Sequence, residues 1–293
     1  MIDKLEMFIA LAREEHFGKA ADSLGLTQPT LSAGIKSLEA QLGVQLVWRG
    51  SRYGGLTPEG ARVLEWARQI VGDMRTMREE MRAVRRGLSG HLRIAAIPTA
   101  LTKAAELSAA FHKTHPGVSF TILSRTSIEI LSMLENLEID GGISYLDNEP
   151  LGRVTTLPLY REDYTLVCAG NSEFAQRSEA HWSDLEGQPL CLLTPDMQNR
   201  RIINQYLQQA SVTPGPTVES NSTVVLVAHV ETGHWMTILP SKMARFLSTG
   251  KDLSVLPLSG PGERHAVGLI APYREPHTPV MAAFLNEARA LAE

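Results

Sequence analysis

Apolar residues recur with two different periods, and the change of period divides the chain. Up to about residue 88 they follow helical spacing, beginning with Leu5, Phe8 and Ile9. From His91 onward, short apolar runs of strand length alternate with helical stretches. The first part therefore predicts a small helical domain followed by a long helix, and the second part predicts α/β units.

Two short helices are predicted before residue 43, with a tight turn between them. Ala20 and Ala21 lie in the first, and Gly25 can end it in the left-handed conformation. Thr27 can cap the next helix, which has Pro29 in its first turn. Its predicted buried stripe is Leu31, Ile35, Leu38 and Leu42. Two helices joined in this way form a helix-turn-helix candidate.

A short basic hairpin and a long helix are predicted next. Residues 45–49 and 56–57 flank the sequence GSRYGG, which is typical of a wing, and the sequence Thr57-Pro58-Glu59 begins a helix that continues to about residue 86. Its apolar positions form a heptad seam of Val63, Ala67, Ile70, Met74, Met77, Met81, Val84 and Leu88. A repeat sustained over more than three heptads predicts a coiled-coil dimer, and a single amphipathic helix packed on its own domain is the alternative.

The rest of the chain begins after a hinge at Gly87, Ser89 and Gly90. Its apolar runs are LRIAAI, VSFTIL, IDGGISY, YTLVCAG, PLCLL, TVES, VVLVAHVETG, WMTILP, LSVLPL and VGLIAP, and helices are predicted to about residue 112, around 128–137 and 202–210, and through 284–291. Strands alternating with helices predict α/β units with largely parallel sheets. About 200 residues is generous for one sheet, so two lobes with a cleft between them are expected.

These patterns predict three parts. The first is a winged helix-turn-helix domain at residues 1–57, and the second is a dimerisation helix at 58–88. The third is a two-lobed α/β domain at 91–293, in which lobe I holds about 91–160 and 266–293, and lobe II about 161–265.

Composition adds that the chain has the make-up of a soluble protein. It is 43% hydrophobic and 20% charged, and no run approaches the roughly 18 uncharged apolar residues that a membrane helix needs. Asp3, Glu6 and Arg13 fall where a signal peptide would be apolar. The expected location is the cytoplasm, with no membrane partner.

Charge is unevenly distributed along the chain. The net charge is −4, yet residues 1–90 carry 13 Lys and Arg against 11 Asp and Glu, so the remainder is clearly acidic. A mildly basic first part is compatible with a local DNA contact. The two cysteines, Cys168 and Cys191, lie in strand-like apolar runs, which favours core residues over a redox pair.

The helix that begins after Thr27 carries a polar face opposite its apolar stripe. Gln28, Ser32 and Lys36 lie at i, i+4 and i+8, flanked by Pro29 and Ala33. Glutamine pairs with adenine in the major groove, serine bonds a base edge or phosphate, and lysine neutralises phosphate. A solvated polar face is the alternative. The predicted wing supplies Arg49, Arg52 and Tyr53, which are placed to reach phosphates or the minor groove.

These motifs together resemble the DNA-binding domain of the LysR-type transcriptional regulators, over about the first 65 residues. The matching residues, in order and at the family's spacing, are Phe8, Ala20, Ala21, Leu24, TQPTLS from Thr27 to Ser32, Ile35, Leu38, Glu39, Leu42, Gly43, Leu46, Arg49 and LTPEG from Leu56 to Gly60. The family's linker helix and two-lobed effector domain, similar to periplasmic binding proteins, extend the resemblance over the rest of the chain.

The resemblance implies a transcriptional regulator without a cofactor, a metal or enzymatic activity. Its DNA contacts would be Lys19, Thr27, Gln28, Pro29, Thr30, Ser32, Ala33, Lys36, Arg49, Arg52 and Tyr53. It would bind an interrupted palindrome in double-stranded DNA as a homodimer, paired into a tetramer, with RNA polymerase as a further partner. Ala33 departs from the long polar side chain that many relatives carry, which favours thymine contact or looser readout there.

The resemblance also implies a small-molecule effector in the cleft. Hydroxyls and free N–H groups at helix starts favour a carboxylate or similar anion. The candidates are Pro98, Thr99, Ala100 and Thr102, then Thr126, Ser127 and Ile128 in lobe I, and Thr194, Asn221, Ser222 and Thr223 in lobe II. Helix capping is the alternative role for each hydroxyl.

Two other classes of protein are weighed against a regulator. An enzyme of this fold class would be expected to show a GxSxG elbow, a phosphate-binding glycine loop or an HExxH motif, and the sequence contains none of these. A pure dimerisation protein would account for the heptad seam, but not for the polar face of TQPTLS. A DNA-binding regulator accounts for both.

Overall fold

The computed structural model describes residues 1–48, 53–260, 262 and 264–292. Ten α-helices lie within this part of the chain: α1 Ile2–Glu14, α2 Phe17–Ser23, α3 Gln28–Leu42, α4 Pro58–Arg86, α5 Leu101–Thr114, α6 Ser127–Glu135, α7 Gln198–Gln209, α8 Thr223–Glu231, α9 Ser241–Ser248 and α10 Pro279–Ala290. The strands are β1 Gly90–Ala96, β2 Val118–Ser124, β3 Gly141–Tyr145, β4 Val154–Glu162, β5 Tyr164–Ala169, β6 Ala180–His181, β7 Cys191–Leu193, β8 Val218–Ser220, β9 Thr237–Pro240, β10 Leu253–Ser259 and β11 His265–Pro272.

The first three helices and the start of α4 share one core, and we call this unit the head. Gly25 is left-handed with φ 66° between α2 and α3, and the Thr27 side chain accepts from the Thr30 N–H, as the sequence predicts. The stripe is wrong at one position, because Leu42 is 40% exposed in the last turn of α3. Glu39 is buried instead, since its carboxylate accepts from the Leu46 N–H at 2.8 Å.

The wing region is described on both sides of residues 49–52. Val47 pairs with Leu56 in an antiparallel bridge, and the Trp48 N–H donates to the Gly55 carbonyl at 3.0 Å. Tyr53 is half-buried against the head core. The wing candidates Arg49 and Arg52 lie outside the described residues.

Helix α4 runs unbroken for 29 residues, as predicted. The Thr57 hydroxyl fixes its start by accepting from the Gly60 N–H at 2.9 Å and donating to the Gln45 carbonyl at 2.6 Å. Of the heptad seam, Ala67 is buried in the head core and Leu88 packs on the core of the α/β domain. The remaining exposed positions are Ile70, Met77, Met81 and Val84. The middle of the seam is thus exposed to solvent in the single chain. Dimerisation through these residues stays a prediction.

The α/β part contains two main sheets, one in each lobe. The lobe I sheet has the order β2-β1-β3-β11-β4, and the lobe II sheet has the order β6-β10-β5-β9, beside a parallel β7-β8 pair. The expectation of largely parallel sheets is wrong, because β11 is antiparallel to both neighbours and β5 to both of its own. The reason is that the chain leaves lobe I along β4 and returns along β11.

Several elements escape the sequence analysis. Strand β4 was not predicted, because its pattern mixes threonines, a proline and charges, and the two-residue strand β6 was not predicted either. Helix α9 likewise has no counterpart among the predicted elements. The apolar run VVLVAHVETG forms helix α8, whose buried residues include Leu226, Val227 and Val230. Such runs do not reveal by periodicity alone whether they are strand or helix.

A buried carboxylate joins the two lobes where β4 leads into β5. Glu162 is 2% exposed, and it accepts from the Tyr145 hydroxyl at 2.6 Å and the Tyr164 hydroxyl at 3.4 Å. Tyr145 ends β3 in lobe I, whereas Tyr164 begins β5 in lobe II. Burial raises the pKa of Glu162 to about 7, although these hydrogen bonds oppose the shift.

We expect Gly60→Ala to destabilise the protein, although alanine is the better helix former. A Cβ at Gly60 would collide with the carbonyl oxygen of Leu46. The free energy of unfolding should fall by about 1–3 kcal/mol, as for other overpacked sites. Urea denaturation measures this change.

The matched control for Gly60→Ala is Ala61→Gly, at an exposed neighbour in the same helical turn. This reverse change should cost at most about 1 kcal/mol by helix propensity. If Gly60→Ala raised the free energy of unfolding instead, Gly60 in α4 and the Leu46 carbonyl could not be as close as the structure places them.

Glu162→Gln should change how stability depends on pH. Because the folded-state pKa of Glu162 is raised to about 7 from 4.5, the native state holds the proton more tightly. Its contribution to stability is fully present below pH 4.5 and is lost as the pH rises through 7. The loss is on the order of 3 kcal/mol.

Melting temperatures of wild type and Glu162→Gln between pH 5 and 8 check this prediction, because the two share all other titrating groups. The wild type should lose stability relative to the variant as the pH rises. Parallel curves would show that Glu162 titrates near its ordinary value in the folded protein.

Candidate functional site

The outward face of α3 presents the residues that the sequence analysis selected for reading DNA. Gln28, Ala33 and Lys36 are exposed, and Ser32 is half-buried. The opposite side of the helix is fixed by α1, since Met7 occupies the space that a side chain at Gly34 would need. Gly34 therefore serves close helix packing, and the polar face is held rigidly outward.

Two threonines at the start of α3 serve the helix itself. The Thr27 hydroxyl lies 2.8 Å from that of Thr30 and accepts from the Thr30 N–H at 3.4 Å. Lys19 is exposed on α2, next to Gly18, where an added Cβ would lie 3.7 Å from Gln28 Oε1. Gln28 thus lies near the start of α2, and Lys19 is exposed on that helix.

The carboxyl ends of three parallel strands meet at one edge of lobe I. Strand β1 lies between β2 and β3, and the Ile97 N–H donates to the Ile143 carbonyl at 3.0 Å just beyond the strand. Thr99 and Ser127 lie at this edge, each 3% exposed. Neither hydroxyl has a hydrogen-bond partner among the described residues. A buried hydroxyl of this kind needs a partner that the protein does not supply.

The other lobe I candidates behave differently. Pro98 and Ala100 are buried in the 3-10 turn before α5, and Thr102 is half-buried in its first turn. Thr126 forms a capping box with Glu129, so its hydroxyl serves α6. Ile128 is 63% exposed.

Lobe II presents a similar arrangement at the ends of β7 and β8. The Thr194 N–H donates to the Ser220 carbonyl at 3.2 Å, while the Thr194 hydroxyl is buried and unpartnered among the described residues. Thr223 is buried at the start of α8, Ser222 precedes it without a side-chain cap, and Asn221 is exposed. Thr194 is the lobe II counterpart of Thr99 and Ser127.

The sequence analysis missed the residues that join these two edges. Asn199 in α7 donates through Nδ2 to the Tyr145 hydroxyl at 3.0 Å, while its buried Oδ1 has no partner within the described chain. Gln198 Nε2 donates to the Asp147 carbonyl at 3.1 Å, and Arg201 pairs with Glu149 at 2.7 Å. The position of Asn199, in the first turn of a helix soon after Thr194, was the available signal.

This chemistry suits noncovalent recognition of a polar ligand. The Tyr145 hydroxyl of lobe I and the Asn199 amide of lobe II meet where α7 touches the end of β3. Within the described residues, no group of three or more His, Cys, Asp or Glu side chains could hold a metal ion, and no helix is long and apolar enough to cross a membrane.

Comparison with known proteins finds relatives that match along the whole chain. The chain is 27% identical over 293 residues to the hydrogen peroxide-inducible genes activator of Dickeya chrysanthemi, covering 100% of this chain and 95% of that protein. A full-length OxyR variant from Pseudomonas aeruginosa has a TM-score of 0.75 at 24% identity, covering 100% of this chain and 96% of that one. CbnR, solved with its target DNA, has a TM-score of 0.62 at 22% identity, with 100% of both chains covered.

Family models match both parts of the chain. The model of the LysR substrate binding domain matches residues 85–293, and the model of the bacterial regulatory helix-turn-helix protein, lysR family, matches residues 2–61. The expected fold class is therefore confirmed, and the relatives are transcriptional regulators rather than enzymes. The chain belongs to the LysR family of DNA-binding transcriptional regulators, with an effector-binding domain after its helix-turn-helix.

Proposed function

We propose that this regulator binds a small anion, such as a carboxylate, between its lobes and that this binding alters how its heads engage DNA. The observation that carries the proposal is the set of buried, unpartnered hydroxyls on Thr99, Ser127 and Thr194. All three follow strand ends, where open α/β sheets bind their ligands. Backbone N–H groups at the nearby helix starts complement a negative charge.

Asn199 adds an acceptor to this site. Its Oδ1 is buried and has no partner among the described residues, while its amide nitrogen is held by Tyr145. Because Tyr145 belongs to lobe I and Asn199 to lobe II, a ligand that reaches Oδ1 would touch the contact that sets the angle between the lobes. Its differential affinity for the two lobe arrangements would shift their populations.

For the head, we propose that Gln28 and Ser32 read bases and that Lys36 contacts phosphate, with Ala33 beside a thymine methyl. Thr27 and Thr30 lie at the capped start of the helix, where their N–H groups favour a phosphate. The remaining proposed contacts are Lys19, Pro29, Arg49, Arg52 and Tyr53. Support comes from the exposure of Gln28, Ala33 and Lys36 on a face whose back is packed against α1.

We further propose a dimer through the exposed seam of α4, paired into a tetramer on an interrupted palindrome, with RNA polymerase as a contact at the promoter. Ile70, Met77, Met81 and Val84 are 41–82% exposed along one helix. A continuous apolar ridge of this kind is characteristic of an association surface.

A response to peroxide through cysteine is not favoured for this chain. Peroxide oxidises thiolates, and thiolates form at exposed, electropositive positions. Cys168 and Cys191 are both completely buried, and burial raises the pKa of the Cys191 thiol to about 11. The effector we propose is therefore bound noncovalently, although the compared relative from Dickeya chrysanthemi is an activator of hydrogen peroxide-inducible genes.

Substitutions on α3 should separate base reading from phosphate contact. After selection of a preferred site from randomised duplexes, Gln28→Ala should lower discrimination at one or two base pairs by about 1–3 kcal/mol. Lys36→Ala should weaken binding to all sequences and reduce the magnitude of the salt slope by about 1. Fluorescence anisotropy over a range of salt concentrations measures both. Equal losses on all sequences for Gln28→Ala would contradict its role as a base reader.

Thr99→Val and Thr194→Val should weaken binding of the effector without destabilising the protein. Replacing an unpartnered buried hydroxyl with a methyl group leaves the melting temperature of the ligand-free protein unchanged or raises it. A carboxylate that stabilises the wild type in a thermal-shift screen should bind each variant at least about tenfold more weakly, as expected for a lost hydrogen bond to a charged group.

The control for these variants is Thr126→Val, next to Ser127. Because the Thr126 hydroxyl caps α6, its loss should cost about 1 kcal/mol even without ligand. If only uncharged or cationic compounds stabilised the wild type in the screen, the proposal that the effector is an anion would be contradicted. If Thr99→Val and Thr194→Val kept the full ligand-induced rise in melting temperature, the ligand would bind elsewhere in the protein.

A further inference from the structure

A cavity lies at the opposite edge of the lobe I sheet from the proposed effector site. It is about 560 Å³, within the range of small-molecule sites, and its walls come from α1 of the head, from α4 and from lobe I near the start of β1. The cleft residues follow the carboxyl ends of the strands, whereas this cavity borders Gly90 at the amino end of β1.

Positive charge dominates the wall of this cavity. Its ionisable lining comprises Arg13, Arg75, Arg78, Arg82 and Arg93 with His91, against Glu6 and Glu79. Some of these arginines are already paired: Arg75 lies 2.8 Å from Asp140, and Arg93 lies 3.5 Å from the same carboxylate. The Arg75–Asp140 pair joins α4 to lobe I, whereas Arg93 and Asp140 both belong to lobe I.

Arg78 and Arg82 are different. Neither makes an ion pair or a side-chain hydrogen bond with any described residue, and both face the cavity from consecutive turns of α4. Like charges at i and i+4 repel each other on a helix. An anion held between the two guanidinium groups would remove this repulsion, and the planar guanidinium matches phosphate and carboxylate oxygens bidentately.

Much of the remaining wall is apolar, apart from Ser89 and Asn136. Ile9 and Ala10 contribute from the head, Met74 from α4, and Leu137 and Val280 from lobe I. A ligand that fills the cavity therefore has an apolar body and an anionic group. Inorganic ions would occupy the arginine end alone.

We propose that this cavity is a second ligand site, which binds a small molecule carrying a multivalent anionic group, a phosphate ester or a polycarboxylate, through Arg78 and Arg82. The site touches all three parts of the chain. A ligand there would act together with the ion pairs Arg13–Glu138 and Arg68–Glu135, which join the head and α4 to lobe I at 3.9 and 3.6 Å. Occupancy would favour the docked arrangement of the head.

Calorimetric titration of the full-length protein with pyrophosphate and with citrate, at low ionic strength, tests the proposal. Saturable binding of at least one probe is expected. Tighter binding of pyrophosphate would indicate a phosphate ester as the natural ligand, and tighter binding of citrate would indicate a polycarboxylate. Arg82→Gln should weaken the binding more than about tenfold, the usual consequence of losing a charge-assisted pair. The double variant Arg78→Gln/Arg82→Gln should abolish it.

Arg85→Gln is the matched control, because Arg85 lies one heptad after Arg78 beside the same apolar seam and does not line the cavity. It should keep the full affinity. Lys36→Gln should also keep it, which separates this site from anion capture on the DNA-binding face. Light scattering measures whether the double variant Arg78→Gln/Arg82→Gln has the same oligomeric state as the wild type. If its oligomeric state differs, the affinity of the single variant Arg82→Gln decides the test.

No saturable binding of either probe would overturn the proposal. The same would follow if Arg82→Gln bound as well as the wild type, or if Arg85→Gln lost as much affinity as Arg82→Gln. None of these three results bears on the proposed effector site between the lobes, because Thr99 and Thr194 do not line this cavity.

Discussion

The continuity of α4 is the constraint on which the rest of the structure depends. Its first turns belong to the head core through Leu64 and Ala67, and farther along Arg75 pairs with Asp140 of lobe I. Between these points the guanidinium of Arg274 lies directly over Gly72, where there is no room for a Cβ. A helix of 29 residues is about 43 Å long and rarely bends without a proline or an inserted group. A change in how lobe I docks on α4 must therefore reach the head as a change of orientation.

The lobe I sheet places its two functional edges at opposite ends of the same strands. Thr99 and Ser127 follow the carboxyl ends of β1 and β2, whereas Asp140 precedes β3 at the amino edge, where it receives Arg75 and Arg93. Because packed strands deform little, the sheet provides a physical connection between these two edges. The buried Glu162 and its tyrosines stand where lobe II joins this sheet, and they link the lobe angle to the same strands.

Local chemistry was enough to predict the head, but not the contacts between the lobes. Thr27 and Thr57 cap helices because their hydroxyls reach an N–H three residues away, a rule that depends on neighbouring residues alone. The hydrogen bonds of Glu39 to the wing and of Asn199 to Tyr145 join residues 7 and 54 positions apart. No periodicity carries that information, and for the same reason the exposure of Leu42 and the antiparallel direction of β11 emerged only from the fold.

Unpartnered polar groups in the cleft also bear on the energetics of regulation. A buried hydroxyl without any partner costs about 1–3 kcal/mol, and the hydroxyls of Thr99, Ser127 and Thr194 have none among the described residues. Water can relieve this cost when the lobes separate, and a ligand can relieve it when they close. On the proposed function, a ligand that bonds all three groups would favour the closed arrangement, and each hydrogen bond worth about 1.4 kcal/mol would shift the equilibrium between the lobe arrangements tenfold.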